Sequence, residues 1–204
     1  DFSAAGPARP ARGERPGAPS QPLPQCCQHP AGHHRRPVRT GAGQQEQERR
    51  ATSALLAVMM AVPEFSAGLL KQCGAPKGRV STFVEVQLLD KDGGKHIPDG
   101  VIVVERGKTR WQALVEIKTG SSELTSEQVT RYMDMAREHG FDAVITISNV
   151  ITAKPDQLPF TVDGRKLRAT PVRHLSWWSV ITEAIVQYRH RGIADPDQAW
   201  ILGE

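Results

Sequence analysis

One stretch constrains this chain more than any other. Residues Ile97 to Thr119 read as a β-hairpin whose register follows from its turn. The first arm contains Val101-Ile102-Val103-Val104. The second runs Trp111-Gln112-Ala113-Leu114-Val115-Glu116-Ile117-Lys118-Thr119, and both are rich in strand-favouring residues. Gly107-Lys108 between them is a Gly-X pair, the pattern of a two-residue type II′ turn, because glycine accepts φ > 0 at the first central position. That turn sets Arg106 opposite Thr109 and Glu105 opposite Arg110. Further along, Val103 faces Gln112, Val101 faces Leu114, and Asp99 faces Glu116. Directly opposed Cβ atoms lie about 4.5–5.5 Å apart. Side chains alternate along a strand, so Lys118 shares a face with Glu116. The other face (Ile102, Val104, Trp111, Ala113, Val115 and Ile117) is the predicted core face. The open end of the hairpin thus carries two carboxylates and an ammonium on one side.

Two carboxylates side by side repel each other and call for a proton or a cation between them. Hard oxygen donors with few protein contacts suit Mg²⁺ or Mn²⁺, which keep waters and take further oxygens from a phosphate. A charged lysine beside them cannot ligate the metal. It can orient or deprotonate an attacking water, or stabilise negative charge building on a phosphorane-like transition state. The chemistry this combination calls for is metal-assisted phosphodiester hydrolysis.

The same residues carry a family resemblance. Pro98-Asp99 followed by Glu116-Ile117-Lys118 resembles the PD-(D/E)XK motif of the restriction-endonuclease-like nuclease superfamily. Gln128-Val129-Thr130-Arg131-Tyr132 resembles the QxxxY motif of its RecB and lambda-exonuclease branch. The stretch from about Arg50 to Tyr188 is also similar to actinobacterial nuclease-like proteins labelled "stress response" proteins. The resemblance implies that Asp99 and Glu116 bind a metal, joined by the Ile117 carbonyl, and that Lys118 acts on the water or the transition state. It implies that Gln128 and Tyr132 sit beside the metal and help hold nucleic acid. It also implies an acidic residue from the first helix, for which Glu46 and Glu48 are candidates. Those two glutamates are equally explained as helix-start residues that suit the dipole.

Charge adds little to this reading. The chain has 204 residues and a formal net charge of +4. Residues 1–50 hold eight arginines against four acids, whereas residues 51–204 hold 18 basic and 18 acidic residues. The basic pI belongs to the N-terminal tail, so a nucleic-acid groove has to come from local clustering. Lys154, Arg165, Lys166, Arg168 and Arg173 are candidates. Three cysteines without paired spacing make no disulfide framework. No apolar run is long enough to span a membrane, and no secretory pattern opens the chain. A soluble cytoplasmic protein is expected, with oligomeric state left open.

Residues 1–43, rich in Pro, Gly, Ala and Arg, are expected to be disordered. Cys26, Cys27, His29, His33 and His34 lie there. Adjacent cysteines in a Pro/Gly context match no standard zinc site. Gln44 to Val62 reads as a helix ended by Pro63, and Glu64 to Cys73 as a further short helical piece. Val80 to Leu89 is the predicted first strand. Its Glu85 is either an additional metal ligand near the site or a solvent-facing residue. Asp92-Gly93-Gly94 marks the turn into the hairpin. Thr125-Ser126-Glu127-Gln128 fits a capping box opening a helix to His139, with Gly140 past its end. Gln128 is therefore explained by capping as well as by a site, and Tyr132, one turn on, by the core as well as by a site. Phe141 to Asn149 is the next strand, Lys154 to Arg165 a loop, and Lys166 to His174 the last strand. Trp177 to His190 reads as a helix with Trp178, Ile181, Ala184 and Ile185 inward. His174 and Ser176 lack a surrounding nucleophile constellation and are assigned structural roles. Asp195-Pro196-Asp197-Gln198 opens another helix. Its Ala199, Trp200, Ile201 and Leu202 find nothing visible to pack on, so the natural protein is expected to continue beyond Glu204.

The predicted order is helix, three antiparallel strands, helix, strand, strand, helix. That is an α/β fold with the αβββαβ core of the restriction-endonuclease-like fold, a mixed central sheet flanked by helices, spanning residues 44–190. The expected function is a Mg²⁺- or Mn²⁺-dependent nuclease acting on nucleic acid, with DNA favoured. Catalytic Asp99, Glu116 and Lys118, metal-binding Asp99, Glu116, Ile117 and Glu85, and substrate-binding Gln128 and Tyr132 would carry it. The alternative is an inactive nucleic-acid-binding or scaffold module on the same fold, since fold does not imply activity. A third reading is a structural hairpin in which Lys118 salt-bridges Glu116 or Asp99.

Overall fold

The computed structural model describes residues 43–120, 122–154 and 157–204. The expected disorder and the Cys/His tract of the N-terminal tail lie outside the described residues. Helix α1 (Gln44–Ala61) meets α2 (Pro63–Gln72) at a sharp bend of 112°. Pro63 is the first residue of α2, where its missing N–H costs nothing. Strands β1 (Arg79–Phe83), β4 (Gly100–Arg106) and β5 (Thr109–Ile117) follow, with a separate ribbon of β2 (Leu88–Leu89) and β3 (Lys95–His96) between β1 and β4. Then come α3 (Ser126–Glu138), β6 (Ala143–Ser148), α4 (Gly164–Ala169), β7 (Val172–Ser176), α5 (Trp177–Val186) and α6 (Pro196–Gly203).

The five-stranded sheet has the order β1-β4-β5-β6-β7. The first three strands are antiparallel, and β6 and β7 add in parallel after helical connections. This is the αβββαβ order and mixed, helix-flanked sheet expected from the sequence. The hairpin register is also the expected one, from Arg106↔Thr109 to Gly100↔Val115, and Gly107 takes φ +58 at the turn.

Both faces of the sheet are buried. Ile102, Val104, Ala113, Val115 and Ile117 pack with Leu55, Leu56, Met59, Phe65 and Leu69 of α1 and α2. On the other face Val101, Val103 and Leu114 pack against Val129, Tyr132, Met133 and Ala136 of α3. The continuous Val/Ile run of β4 therefore marks a strand dry on both sides.

Several elements differ from expectation. The strand predicted for Val80–Leu89 breaks after Phe83, because Glu85 adopts φ +57 and turns the chain out of the sheet. Leu88–Leu89 then pairs with Lys95–His96 around the Asp90 turn, where Asp90 accepts from the Asp92 and Gly94 N–H groups and pairs with His96. Gly164–Ala169, expected as the end of a loop and the start of a strand, is a helix. Asp163 caps it by accepting from the Arg165 and Lys166 N–H groups. The last strand is thereby shortened to Val172–Ser176.

Helix α5 starts directly off β7, with Ser176 as its cap, so β7 fixes its rotation. The inward residues are Trp177, Val180, Glu183, Ala184 and Gln187, while Trp178 (67% exposed), Ile181 and Ile185 face out. Only Ala184 of the four expected inward residues packs on the core. The helix continues as a π-helical turn, Gln187–Arg191. In α6, Ile201 and Leu202 do find partners, packing against the α1/α2 core cluster, although Trp200 stays exposed.

Gly100 is where α1 meets the sheet. A Cβ there would lie 2.6 Å from Leu56 Cδ1 and 3.3 Å from the Phe83 carbonyl oxygen. Leu56 is fully buried and has little room to yield. Gly100→Ala is therefore expected to lower stability by about 1–3 kcal/mol, the usual cost of overpacking a tight core. Urea unfolding checks this, and a wild-type midpoint would mean that α1 shifts freely on the sheet.

Candidate active site

The open end of the hairpin gathers side chains from four elements. Asp99, just ahead of β4, accepts a hydrogen bond from the Ile117 backbone N–H at 2.7 Å through Oδ2. This bond extends the β4–β5 ladder by one side chain and brings Asp99 toward Glu116 at the end of β5. Glu116 is 3% exposed, and Lys118 Nζ lies 2.9 Å from its Oε1. Lys118 Nζ also reaches Glu48 Oε2 on α1 at 3.5 Å. Of the two glutamates weighed in the first helix, Glu48 is in the site and 8% exposed, whereas Glu46 pairs with Arg50 at the surface.

The first turn of α3 completes the cluster. Thr125 caps it by accepting from the Gln128 N–H at 3.1 Å. The Gln128 side chain donates through Nε2 to Glu116 Oε1, so both explanations of Gln128 hold, its backbone in the cap and its side chain in the site. One turn on, the Tyr132 hydroxyl lies against the Glu116 carboxyl and favours its charged form. Tyr132 is at the same time part of the core cluster under α3. Burial, then the Glu116 and Asp99 charges, push the Tyr132 hydroxyl far above its ordinary value, so it stays protonated.

The carboxyls are held in an environment that disfavours their charged forms. Burial is the main cause that raises Glu116 above the usual carboxylate range, and the neighbouring Asp99 adds to it. Lys118 and the hydrogen bonds offset part of that rise. Asp99 is raised chiefly by burial, opposed by the Ile117 N–H, Lys118 and Arg49. Burial by itself would lower Lys118, but Glu116, Asp99 and Glu48 together outweigh it and hold the ammonium charged.

These residues fit a hard divalent cation. Glu116 Oε2 and Glu48 Oε1 are buried without a hydrogen bond of good geometry among the described residues, and carboxylate oxygens left this way are costly unless something charged meets them. Among the described residues no three His, Cys, Asp or Glu side chains converge on one ligating position. Mg²⁺ does not require that, since it commonly takes one or two carboxylates and keeps waters. Glu85 does not join the ion cluster. It lines a cleft of about 220 Å³ beside Asp99, together with Arg49, Thr52, Ser53, Val84, Ile97 and Pro98. Its left-handed backbone costs about 1–3 kcal/mol, and such outliers concentrate at functional sites. A larger cleft of about 520 Å³, between α3 and the β2–β3 ribbon, includes none of the Asp99 cluster.

The remaining candidates separate. Lys166, from the expected basic cluster, forms a surface pair with Asp134 at 2.6 Å. His174 is buried, accepting from or donating to Thr146 Oγ1 at 3.1 Å through Nδ1 and donating from Nε2 to the Val150 carbonyl at 3.0 Å. Burial lowers its pKa, as suits a structural histidine. Ser176 caps α5. The Trp177 indole N–H, by contrast, has a place in the site that no spacing signalled, since it donates to the Lys118 carbonyl at 2.9 Å and so fixes the backbone beneath the ammonium.

No protein-family model and no curated protein sequence matches the chain. Among solved structures it is similar to the protein of unknown function AF1548, with 13% identity and a TM-score of 0.36 over 63% of this chain and 65% of that one. It is similar to the DNA modification-dependent restriction endonuclease AspBHI, with 17% identity and a TM-score of 0.31 over 82% and 44%. It is also similar to the MspJI restriction endonuclease, solved in complex with a 27-mer oligonucleotide, with 16% identity and a TM-score of 0.36 over 83% and 40%. The chain thus spans less than half the length of either restriction endonuclease.

Carboxyl groups raised in the folded state bind more protons there than in the unfolded chain. Their stabilisation is complete at acid pH, below the unfolded values, and is lost as pH rises through the folded ones. Asp99→Asn and Glu116→Gln, each tested alone, are expected to raise the melting temperature at pH 8 and to flatten its fall between acid and neutral pH. Thermal unfolding across pH without metal checks this. A lower Tm in both variants would mean that the charges stabilise the fold.

Proposed function

We propose that this chain is a metal-dependent nuclease that hydrolyses phosphodiester bonds, with DNA as the expected substrate. The observation that carries this reading is the pairing of Asp99 and Glu116 at the open end of one hairpin, with the Lys118 ammonium 2.9 Å from Glu116. In this reading Asp99 and Glu116 would hold Mg²⁺ or Mn²⁺, with the Ile117 carbonyl as a further donor and Glu85 at the rim. The bound cation would supply Lewis-acid polarisation and an acidified water. Lys118, held charged by Glu116 and Glu48, orients the attacking water and balances charge on the phosphoryl oxygens. Gln128 and Tyr132 are positioning residues that act through Glu116.

A second reading has its own support. Lys118 bridges Glu116 and Glu48, no three acidic or histidine side chains converge among the described residues, and residues 51–204 carry no net formal charge. These features favour an inactive nucleic-acid-binding module whose ion cluster is structural.

Titration of Mn²⁺ into the full chain, followed by cleavage of plasmid and labelled oligonucleotides, separates the two. Asp99→Ala is expected to lose both metal binding and cleavage. Lys118→Ala is expected to keep its fold and lose about 10²–10⁴-fold in cleavage rate, the range for a positioned acid–base group. Wild-type cleavage by Lys118→Ala, or no Mn²⁺ binding with nucleic acid present, would sink the nuclease reading. DNA binding that persists in EDTA without cleavage would establish the second.

A further inference from the structure

The ion cluster leaves unexplained the cleft on the other side of Asp99. One wall is α1, which contributes Arg49, Thr52 and Ser53. The other is made by Val84-Glu85 after β1 and by Ile97-Pro98-Asp99 before β4. Two features of this cleft are costly for a protein that makes no use of it.

The first is Thr52. Its side chain is 3% exposed, and Oγ1 is buried with no hydrogen-bond partner among the described residues. A helical threonine ordinarily bonds the carbonyl one turn back, or faces water. Thr52 Oγ1 does neither, and a buried hydroxyl without a partner destabilises the fold. The second is the backbone at Glu85, the one non-glycine with positive φ among the described residues. It turns the chain away from the sheet and so forms the far wall of the cleft, while Val86 and Leu88 just beyond it return to the core.

The walls differ in chemistry. The α1 wall offers a guanidinium and two hydroxyls one helical turn apart or less, a set suited to phosphate oxygens. Arg49 is close enough to Asp99 to lower its carboxyl's affinity for protons, so its charge is felt at the metal-binding end. The facing wall offers the half-exposed Ile97 and the partly buried Val84, with the buried Pro98 also in its lining, surfaces for a sugar and the face of a base. Glu85 and Asp99 are acidic, so a phosphate fits only on the α1 wall, beside the Arg49 guanidinium.

We propose that this cleft is a subsite for one nucleotide unit of the substrate next to the scissile phosphodiester, its phosphate held by Arg49, Thr52 and Ser53 and its sugar and base against Val84, Ile97 and Pro98. The proposal rests on the nuclease reading for the position of the scissile bond. It adds a substrate-binding face on α1, in residues that no motif marks.

The test is calorimetric binding of thymidine bisphosphate, phosphorylated at both sugar hydroxyls, to the full chain with Mg²⁺ and in EDTA. This ligand has no phosphodiester to cleave, so binding is read apart from catalysis. Arg49→Gln and Thr52→Val are each expected to weaken binding about tenfold or more, the loss of one hydrogen bond to a charged group. Thr52→Ser, which keeps the hydroxyl, is expected to bind as wild type. Thr52→Val is also expected to raise the melting temperature, since it removes an unpartnered buried hydroxyl without changing shape. Opposite signs for stability and affinity would distinguish a ligand-facing hydroxyl from a packing residue. A more stable Thr52→Val that binds the nucleotide as wild type does would overturn the proposal, as would no binding by the wild type in either condition. If oligonucleotide cleavage persists in that case, the subsite fails and the nuclease reading stands. Binding that follows the expected pattern in a chain that cleaves nothing would keep the cleft as a nucleotide site, remove its place beside a scissile bond, and defeat the nuclease reading.

Discussion

Holding Asp99 and Glu116 together is the constraint on which the rest of this structure depends. A buried and a half-buried carboxyl that repel each other do not stay adjacent by their own interaction. They stay because the backbone leaves them no alternative. The Gly107 turn fixes the register of β4 and β5, and one further hydrogen bond, from the Ile117 N–H to Asp99, pins the aspartate at the end of that ladder. The ladder is rigid because both faces of the hairpin are dry, one under α1 and α2 and the other under α3. The hydrophobic burial of about a dozen Val, Ile, Leu and Ala side chains thus supplies the free energy that keeps two charges where they are unfavourable. That is the expected relation between a scaffold and a functional site.

Charge balance then explains the neighbours. Asp99, Glu116 and Glu48 against Lys118 leave two negative charges if all are ionised, and the Arg49 guanidinium acts on Asp99 from the cleft side. Burial is the chief reason both carboxyls are raised, and the neighbouring acids add to it. Lys118 offsets part of it, and it is itself held charged by the same three acids. Gln128 and Tyr132 restrict Glu116 from the α3 side, and Trp177 restrains the Lys118 backbone from α5. Each helix that meets this end of the sheet therefore contributes one restraint on the cluster.

What was legible in the sequence was what local rules determine. A Gly-X turn fixes a register, and a register fixes which side chains oppose, so the hairpin and the placement of its acids could be derived before any tertiary contact was known. The parallel addition of β6 followed because a strand–helix–strand connection is parallel, whereas helix α4 and the place of β7 came only from the structure. The phase of α5 was not legible. Its apolar residues lie on nearly all sides, so periodicity could not choose a face, and the choice was made by its junction with β7. Nor was the break at Glu85 legible, because Val84, Val86 and Leu88 continue the alternation of a strand while the backbone leaves it. Glu46 and Glu48 could not be separated either, since both sit in a helix start that favours acids; only the packing of α1 across the end of the sheet brings Glu48 to Lys118. Thr52 gave no signal at all, because an unpartnered hydroxyl is a property of its surroundings.

The topology also explains why these particular surroundings matter. Strand β5 is antiparallel to β4 but parallel to β6, so its C-terminal end lies where the sheet changes character. In open α/β sheets such ends are where crevices form, because the connections to neighbouring strands leave in different directions. Here the chain departs from β5 into α3 and from β7 into α5, while α1 crosses from the antiparallel side. The Lys118 N–H still bonds the Ile147 carbonyl at 2.8 Å, so the backbone beneath the site remains part of the sheet while its side chains reach beyond it. An acidic pair in the middle of β4 and β5 would be sealed under α3. The same pair at this end is rigid in its backbone and bordered by a cleft, the two conditions that the proposed function requires of it.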